Sequence, residues 1–260
     1  MSLDHASEIV KHQTLTRDAF LGGRLVVSQP GNGFRAGLDS VLLGASARPD
    51  SGSLLDLGAG VGTAALVALA HNSALHATLV EADPQMAALA ALNLAANGFA
   101  GRARVLTLDL TARGAVRAAA GLPADHFESV IANPPFFDSA AGSSPAPSRA
   151  AARHMDPAAL DLWVKAAATS AAPGGEVIFI HTVAALPALL AAFEARFGGI
   201  TVLPLTPREG GDVNRIMVRG IKGSRAPLRL LASRALHEPE GRAFRPAFDG
   251  IFRGAGRLDW

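Results

Sequence analysis

From Ser53 to Ile221 short strand-forming runs alternate with longer alanine-rich runs, and few folds accommodate that alternation. "SLLDLG" reads as a strand, "TAALVALAHN" as a helix, "HATLVEAD" as a strand, and "PQMAALAALNLAANG" as a helix with Pro84 in its first turn and Gly98 at its end. "ARVLTLDL" and "FESVIANPP" follow as strands around a segment holding "TARGAVRAAAGL". "DPAALDLWVKAAATSAAPGG" then reads as a helix with Asp156 as cap and Pro157 at its start, before the strands "EVIFIHT", "GITVLPL" and "NRIMVRGI". Helices between most strands imply parallel pairing with both sheet faces covered. The last two strands are joined only by "TPREGGDV", too short for a parallel crossover, so they form a hairpin. The expected fold is α/β: a doubly wound, seven-stranded, mostly parallel sheet with an antiparallel last strand. Residues 51–223 form its core, residues 1–50 an N-terminal extension and residues 224–260 a basic C-terminal one. Residues 1–20 read as a polar helix or tail. "GGRLVVSQPGNGFRAGLDSVLLGASA" suggests a strand, a turn at "PGNG" and a helix starting near Asp39.

Composition removes several kinds of chemistry. Without cysteine there are no disulfides, thiolate metal sites or thiol nucleophiles. The eight histidines show no paired metal-ligand spacing, and no serine sits in a nucleophile elbow, so neither a metal site nor a hydrolase is expected. No apolar run reaches the roughly 18 residues that span a bilayer, and the start lacks a signal-peptide core, so a soluble cytoplasmic protein is expected. The net charge of +2 conceals a basic C-terminal part: residues 204–260 carry 11 Lys+Arg against 6 Asp+Glu. Nearly all are arginines, which suits phosphate or, equally, a solvated face.

In "LLDLGAGVGTAAL", Gly58, Gly60 and Gly62 stand between a strand and a helix, where a ligand can approach the backbone and meet free N–H groups. Glu81 ends the next strand about 20 residues later, where ribose recognition requires an acid. Thr63 replaces the third glycine of a dinucleotide fingerprint, and Asp56 precedes the loop. A pyrophosphate there would be repelled by Asp56, whereas a ligand ammonium would be attracted. Capping of the following helix is the alternative for Asp56. Asp109, in "VLTLDLT", ends a third strand and completes a row of acids on the edge where open α/β sheets bind ligands. Asp83, before Pro84, suits an N-cap better than a ribose ligand. "IANPPFF" ends a fourth strand with two prolines that donate no backbone hydrogen bond. The loop behind it, residues 138–155, is small-residue-rich and well placed to be a substrate lid.

"DLGAGVG", "VEAD", "TLDL" and "NPPFF", in this order and spacing over residues 20–223, resemble the Rossmann-like class I S-adenosylmethionine-dependent methyltransferases, in their amino-group-methylating branch. "GFRAGLDSVLLGA" further resembles bacterial enzymes that methylate N6 of an adenine beside the anticodon of a valine tRNA. The resemblance implies S-adenosylmethionine as cofactor, a tRNA substrate, and cofactor binding by Asp56, Gly58, Gly60, Gly62, Glu81, Asp109 and Asn133. Asp39 is a further cofactor candidate, with helix capping equally open.

The residues rationalise the chemistry. An exocyclic amine on an aromatic base is a poor nucleophile because its lone pair is delocalised. Two acceptors holding its two N–H bonds, the Asn133 side-chain carbonyl and the Pro134 main-chain carbonyl, redirect that lone pair. Phe136 can stack on the base, while Phe137 serves as core or pocket wall. Similar turns occur in families that methylate guanine N2, cytosine N4 or glutamine side chains. A non-catalytic RNA-binding module and a nicotinamide oxidoreductase are the alternatives of a different class.

Overall fold

The structure, a computed structural model, describes residues 15–31, 35–135 and 157–260. Strands β3 (Ser53–Leu57), β4 (His76–Glu81), β5 (Ala103–Thr107), β6 (Phe127–Ala132), β7 (Ala171–Thr182), β8 (Phe197–Thr206) and β9 (Arg215–Lys222) build the main sheet. Their spatial order is β8-β9-β7-β6-β3-β4-β5. β9 runs antiparallel to both β7 and β8, as the short connection demands, and the other core pairs are parallel. After β3 the chain builds outward through β4 and β5, then returns to place β6 on the other side of β3. That reversal opens a crevice at the carboxyl ends of β3 and β6.

Consecutive residues of each strand face opposite layers, so each strand serves two cores. Leu54, Ile131, Ile178 and Met217 pack with α1 (Leu38–Ser46), α2 (Thr63–His71) and α3 (Pro84–Ala96). Leu55, Val130, Val177 and Val218 pack with α5 (Pro157–Ser170) and α6 (Leu186–Glu194) on the other face. The short α4 (Gly114–Ala119) buries no residue and lies between β5 and β6. Gly44 lets α1 approach α2 closely: a methyl group there would collide with the Ala64 carbonyl and the Val67 side chain. No described helix is long and apolar enough to cross a membrane.

The N-terminal region departs from the expected polar helix or tail. Leu15–Phe20 is strand β1, paired antiparallel with β2 (Leu25–Pro30) from Leu15↔Pro30 to Phe20↔Leu25. The outward backbone groups of β2 would be left bare at the hairpin edge, and α3 supplies their partners. Ser28 N–H donates to Asn93 Oδ1 (2.8 Å), whose Nδ2 donates back to the Ser28 carbonyl (3.0 Å). Asn97, one turn later, repeats the exchange with Val26 at 3.0 and 2.9 Å. Asn93 Nδ2 also donates to the Val61 carbonyl inside the glycine loop at 3.0 Å, so one buried amide ties the hairpin to that loop. Asn93→Leu orphans three backbone groups, and a loss of roughly 1–3 kcal/mol in urea unfolding is expected. An unchanged midpoint would refute the clamp.

The C-terminal extension adds two residues at a time to the sheet. β10 (Arg229–Leu230) and β11 (Arg234–Ala235) both pair parallel with β8, making nine strands rather than seven. Two-residue strands carry no periodicity that a sequence can show. Beyond α7 (Pro246–Phe252), the chain caps the carboxyl end of α1: Leu258 N–H donates to the Ala45 carbonyl (3.1 Å), Trp260 Nε1 to Ser46 (3.1 Å) and Arg257 to Ala47. Much of the basic excess is consumed in such work. Arg245 pairs with Glu209, Arg253 with Asp249 (2.7 Å), Arg215 with Asp39 (2.8 Å), and Arg219 lies 4.7 Å from the Trp260 ring centroid.

Candidate active site

The β3–β6 register pairs Leu57 with Ala132, so the next residues, Gly58 and Asn133, leave the sheet side by side. The two motifs read separately in the sequence therefore border one crevice. Gly58, Gly60 and Gly62 take φ of +64°, +55° and +85°, values that a side chain would strain. A methyl group at Gly60 would meet nothing within 4 Å, so the backbone there is open to a ligand. The loop is held by Ala59 N–H donating to the Val80 carbonyl at 3.0 Å and Gly62 N–H donating to the Ala59 carbonyl at 2.8 Å.

Asp56 is only 2% exposed, and its Oδ2 accepts from Ala65 N–H in the first turn of α2 at 3.1 Å. The capping alternative is thus part of its environment. That single bond does not offset burial: desolvation, helped by the nearby Glu81 charge, pushes the Asp56 carboxyl up to about 7, with the Ala65 bond opposing. A buried carboxyl so displaced is a ready partner for a cation. Glu81 closes β4 with both oxygens engaged: Oε2 accepts from Gly60 N–H at 2.8 Å and Oε1 from Asp83 N–H at 2.9 Å. It fixes the open glycine while presenting its remaining lone pairs at the rim. Asp83 is the N-cap of α3, accepting from Gln85 N–H at 2.7 Å.

Other expectations need revising. Asp109 lies two residues beyond the end of β5, exposed, with Oδ1 accepting from Thr111 N–H (2.8 Å) and Oγ1–H (2.7 Å). It stands on a loop because Leu108 already leaves the ladder, although its N–H still donates to the Glu81 carbonyl at 2.9 Å. Asp39 is not the cap of α1; Gly37 holds that position, and Asp39 Oδ2 accepts from Arg215 Nε at 2.8 Å. That ion pair joins the first turn of α1 to the start of β9, and no local pattern links residues so far apart. Trp163 on α5 belongs to no sequence motif, yet it sits directly against Gly58.

Asn133 ends β6 with its Oδ1 buried and without a hydrogen-bond partner among the described residues. Pro134 is buried and Pro135 exposed, and neither nitrogen carries a hydrogen to satisfy that oxygen. Native proteins leave few such acceptors unpaired, and those that persist ask for a ligand-side explanation. Phe136, Phe137 and the loop 138–155 lie outside the described residues.

Residues 38–182, more than half of the chain, match the family model described as methyltransferase small domain. The chain belongs to that family. The small-domain methyltransferase assignment agrees with a crystal structure from Agrobacterium tumefaciens described as a predicted O-methyltransferase, 31% identical, covering 85% of this chain and 98% of that one with a TM-score of 0.72. Two curated relatives are both named tRNA1(Val) (adenine(37)-N6)-methyltransferase. The one from Porphyromonas gingivalis is 32% identical over 168 residues, 63% of this chain and 64% of the relative. The one from a Flavobacteriaceae bacterium is 33% identical over 116 residues, 44% of this chain and 47% of the relative. The chain thus spans about half to two thirds of the length of these curated relatives. S-adenosylmethionine is the methyl donor that goes with this small-domain methyltransferase, and the crevice fits it: a backbone cradle at Gly60, an acid tied to that glycine, and a buried carboxyl suited to an ammonium.

Proposed function

We propose that this protein transfers a methyl group from S-adenosylmethionine to an exocyclic amine, adenine N6 of a tRNA. The buried Asn133 Oδ1 beside the glycine loop, without a hydrogen-bond partner among the described residues, carries the reading. When bound, the cofactor supplies an electrophilic methyl group on a sulfonium centre. Asp56 holds its ammonium, Glu81 its ribose hydroxyls, the side-chain-free backbone at Gly58, Gly60 and Gly62 lets it approach the loop closely, and Asp109 stands at the outer rim. Asn133 Oδ1 and the Pro134 carbonyl accept hydrogen bonds from the two N–H groups of the target amine and leave its lone pair facing the methyl group. The amine attacks while neutral, the sulfonium's electron pair leaves with the thioether, and the methylated, now acidic nitrogen gives its extra proton to solvent. Alignment and hydrogen bonding of this kind supply several kcal/mol. Phe136 provides the stacking face for an extruded base. The relatives' printed names support adenine N6 of tRNA as the target; a tRNA substrate in turn calls for RNA binding and a cytoplasmic location.

The relative described as an O-methyltransferase raises a second reading. A hydroxyl acceptor has one proton to give and needs a base to take it, and an amide oxygen is an acceptor but no base at neutral pH. Asn133 matches an NH2 group better. A tritium-labelled cofactor, incubated with the protein, total RNA and cell protein, tests the assignment: label is expected in tRNA and absent without the enzyme. Label in ribosomal RNA as methylated guanine N2, or in a glutamine side chain, would replace it, and no transfer alongside RNA binding would leave a non-catalytic module.

Glu81→Ala removes both the loop tether and the ribose partner, so cofactor affinity is expected to fall at least about 100-fold in calorimetry, two charge-assisted hydrogen bonds being at stake. Equal affinity for the variant would reject this role. Saturation with NAD but not with S-adenosylmethionine would instead revive the nicotinamide reading.

A further inference from the structure

Gly58 is closed off from one side by an indole. A methyl group built on Gly58 would run into Cη2 of Trp163 and stand 2.8 Å from its Cζ3, so the benzo edge of the ring lies directly against the first glycine of the loop. Trp163 sits on α5, one residue before Val164, which is fully buried, and its ring rests on the second hydrophobic core. Part of the side chain stays accessible. Three residues surround the loop at Gly58. Asp56, two residues before Gly58, closes the loop from the α2 side; Trp163 closes it from the α5 side; Asn133 leaves the sheet beside Gly58. Glu81 thus holds the loop at Gly60, and the Trp163 ring bears on it at Gly58, two residues from Asp56.

We infer that Trp163 is a positioning residue for the amino-acid part of the cofactor: its ring sets the height of the loop at Gly58 and walls the end of the crevice where Asp56 takes the ammonium. The inference rests on the cofactor reading given above. The loop is pressed between a fixed strand end and a rigid, two-torsion ring, so Gly58 cannot relax toward α5 when a ligand arrives. A smaller side chain at 163 leaves the Gly58 backbone free to shift toward α5, which changes the distance from a ligand seated on the loop to Asp56, and a charge pair in a partly dry site weakens quickly with distance. Gly60 is tied independently by Glu81 and does not depend on the ring.

The chain has only two tryptophans, and the second, Trp260, is packed on Arg219 and donates to Ser46. Intrinsic fluorescence therefore separates them. Titration with S-adenosylhomocysteine is expected to change emission in the natural protein and in Trp260→Phe, and to give no change in Trp163→Phe. Trp163→Ala is expected to bind S-adenosylhomocysteine at least 10-fold more weakly in calorimetry, with Trp163→Phe intermediate. Both variants are expected to bind 5′-methylthioadenosine, which lacks the amino-acid part, within about 2-fold of the natural protein. Circular dichroism melts establish that each variant is folded, and the phenylalanine variant keeps the test alive should the alanine one unfold. A fluorescence response persisting in Trp163→Phe, or natural affinity for S-adenosylhomocysteine in both variants, overturns the inference. Equal loss of both ligands also overturns it, since the ring would then support the whole crevice. Absence of S-adenosylhomocysteine binding to the natural protein would overturn the cofactor reading instead.

Discussion

Asn133→Ala is expected to bind S-adenosylmethionine as the natural protein does and to transfer methyl about 1,000-fold more slowly, the scale of losing one preorganised polar group at a reacting centre. Its Oδ1 is buried and unpaired among the described residues, so removing the amide breaks no described structural bond of that oxygen and relieves an unsatisfied acceptor. Thermal stability is therefore expected to stay level or rise slightly while turnover collapses. Opposite signs for stability and activity mark a group kept for the reaction rather than for the fold. Asn133→Asp adds a further discriminator: an acceptor remains at the same place, so part of the rate returns, most of all where the carboxyl is ionised. A variant that turns over normally would remove Asn133 from the mechanism. Lost stability together with lost cofactor binding would make it a structural residue.

Asp56→Asn is expected to weaken the cofactor about 100-fold and, at neutral pH, to stabilise the free protein. The carboxyl has an ordinary value of 3.8 and is pushed up to about 7 in the fold, so the folded state holds a proton that the unfolded chain releases. Its contribution to stability is fully present below pH 4 and is lost as pH rises through about 7. Asparagine keeps an oxygen for Ala65 N–H and carries no charge, so the variant escapes that loss. The gain at pH 8 is expected to be about 4 kcal/mol, from the displacement of 3.8 to about 7 at ~1.4 kcal/mol per pH unit, with the two proteins converging near pH 4. Cofactor binding runs the other way. An ammonium binds the ionised carboxylate, so affinity of the natural protein is expected to climb between pH 6 and 8, and that slope is expected to vanish in Asp56→Asn. Melting curves and calorimetry across this range decide both halves. A flat difference in stability with pH would mean that Asp56 titrates normally, and an unchanged affinity would free the ammonium from it.

What the sequence made legible, and what it hid, follows the range of the interactions. The glycine loop, Glu81 at the end of β4, Asp83 with Pro84 at the start of α3 and the β8–β9 hairpin were all readable, because each depends on neighbours within a few residues. β1 was hidden. "LTRDAF" is short and polar, and what holds its hairpin in place is a pair of asparagines on a helix 65 to 71 positions away. The Asp39–Arg215 pair spans 176 positions, so a local pattern could offer only capping as its rationale. A ligand's approach to the backbone is one reason for Gly58; the Trp163 ring is a second, which no spacing rule connects to it. The C-terminal arginines show the same limit, since charge counting cannot tell a solvated cation from Arg257 capping α1.

Methylation of adenine N6 in tRNA by the crevice between β3 and β6, the function proposed above, is read out most directly by nucleoside mass spectrometry. Bulk tRNA from cells that make this chain, from cells that lack it and from cells carrying only Asn133→Ala is digested and compared. N6-methyladenosine is expected in the first and to be missing equally from the other two. N6-methyladenosine that persists without the chain, or that is restored in full by Asn133→Ala, would contradict the account.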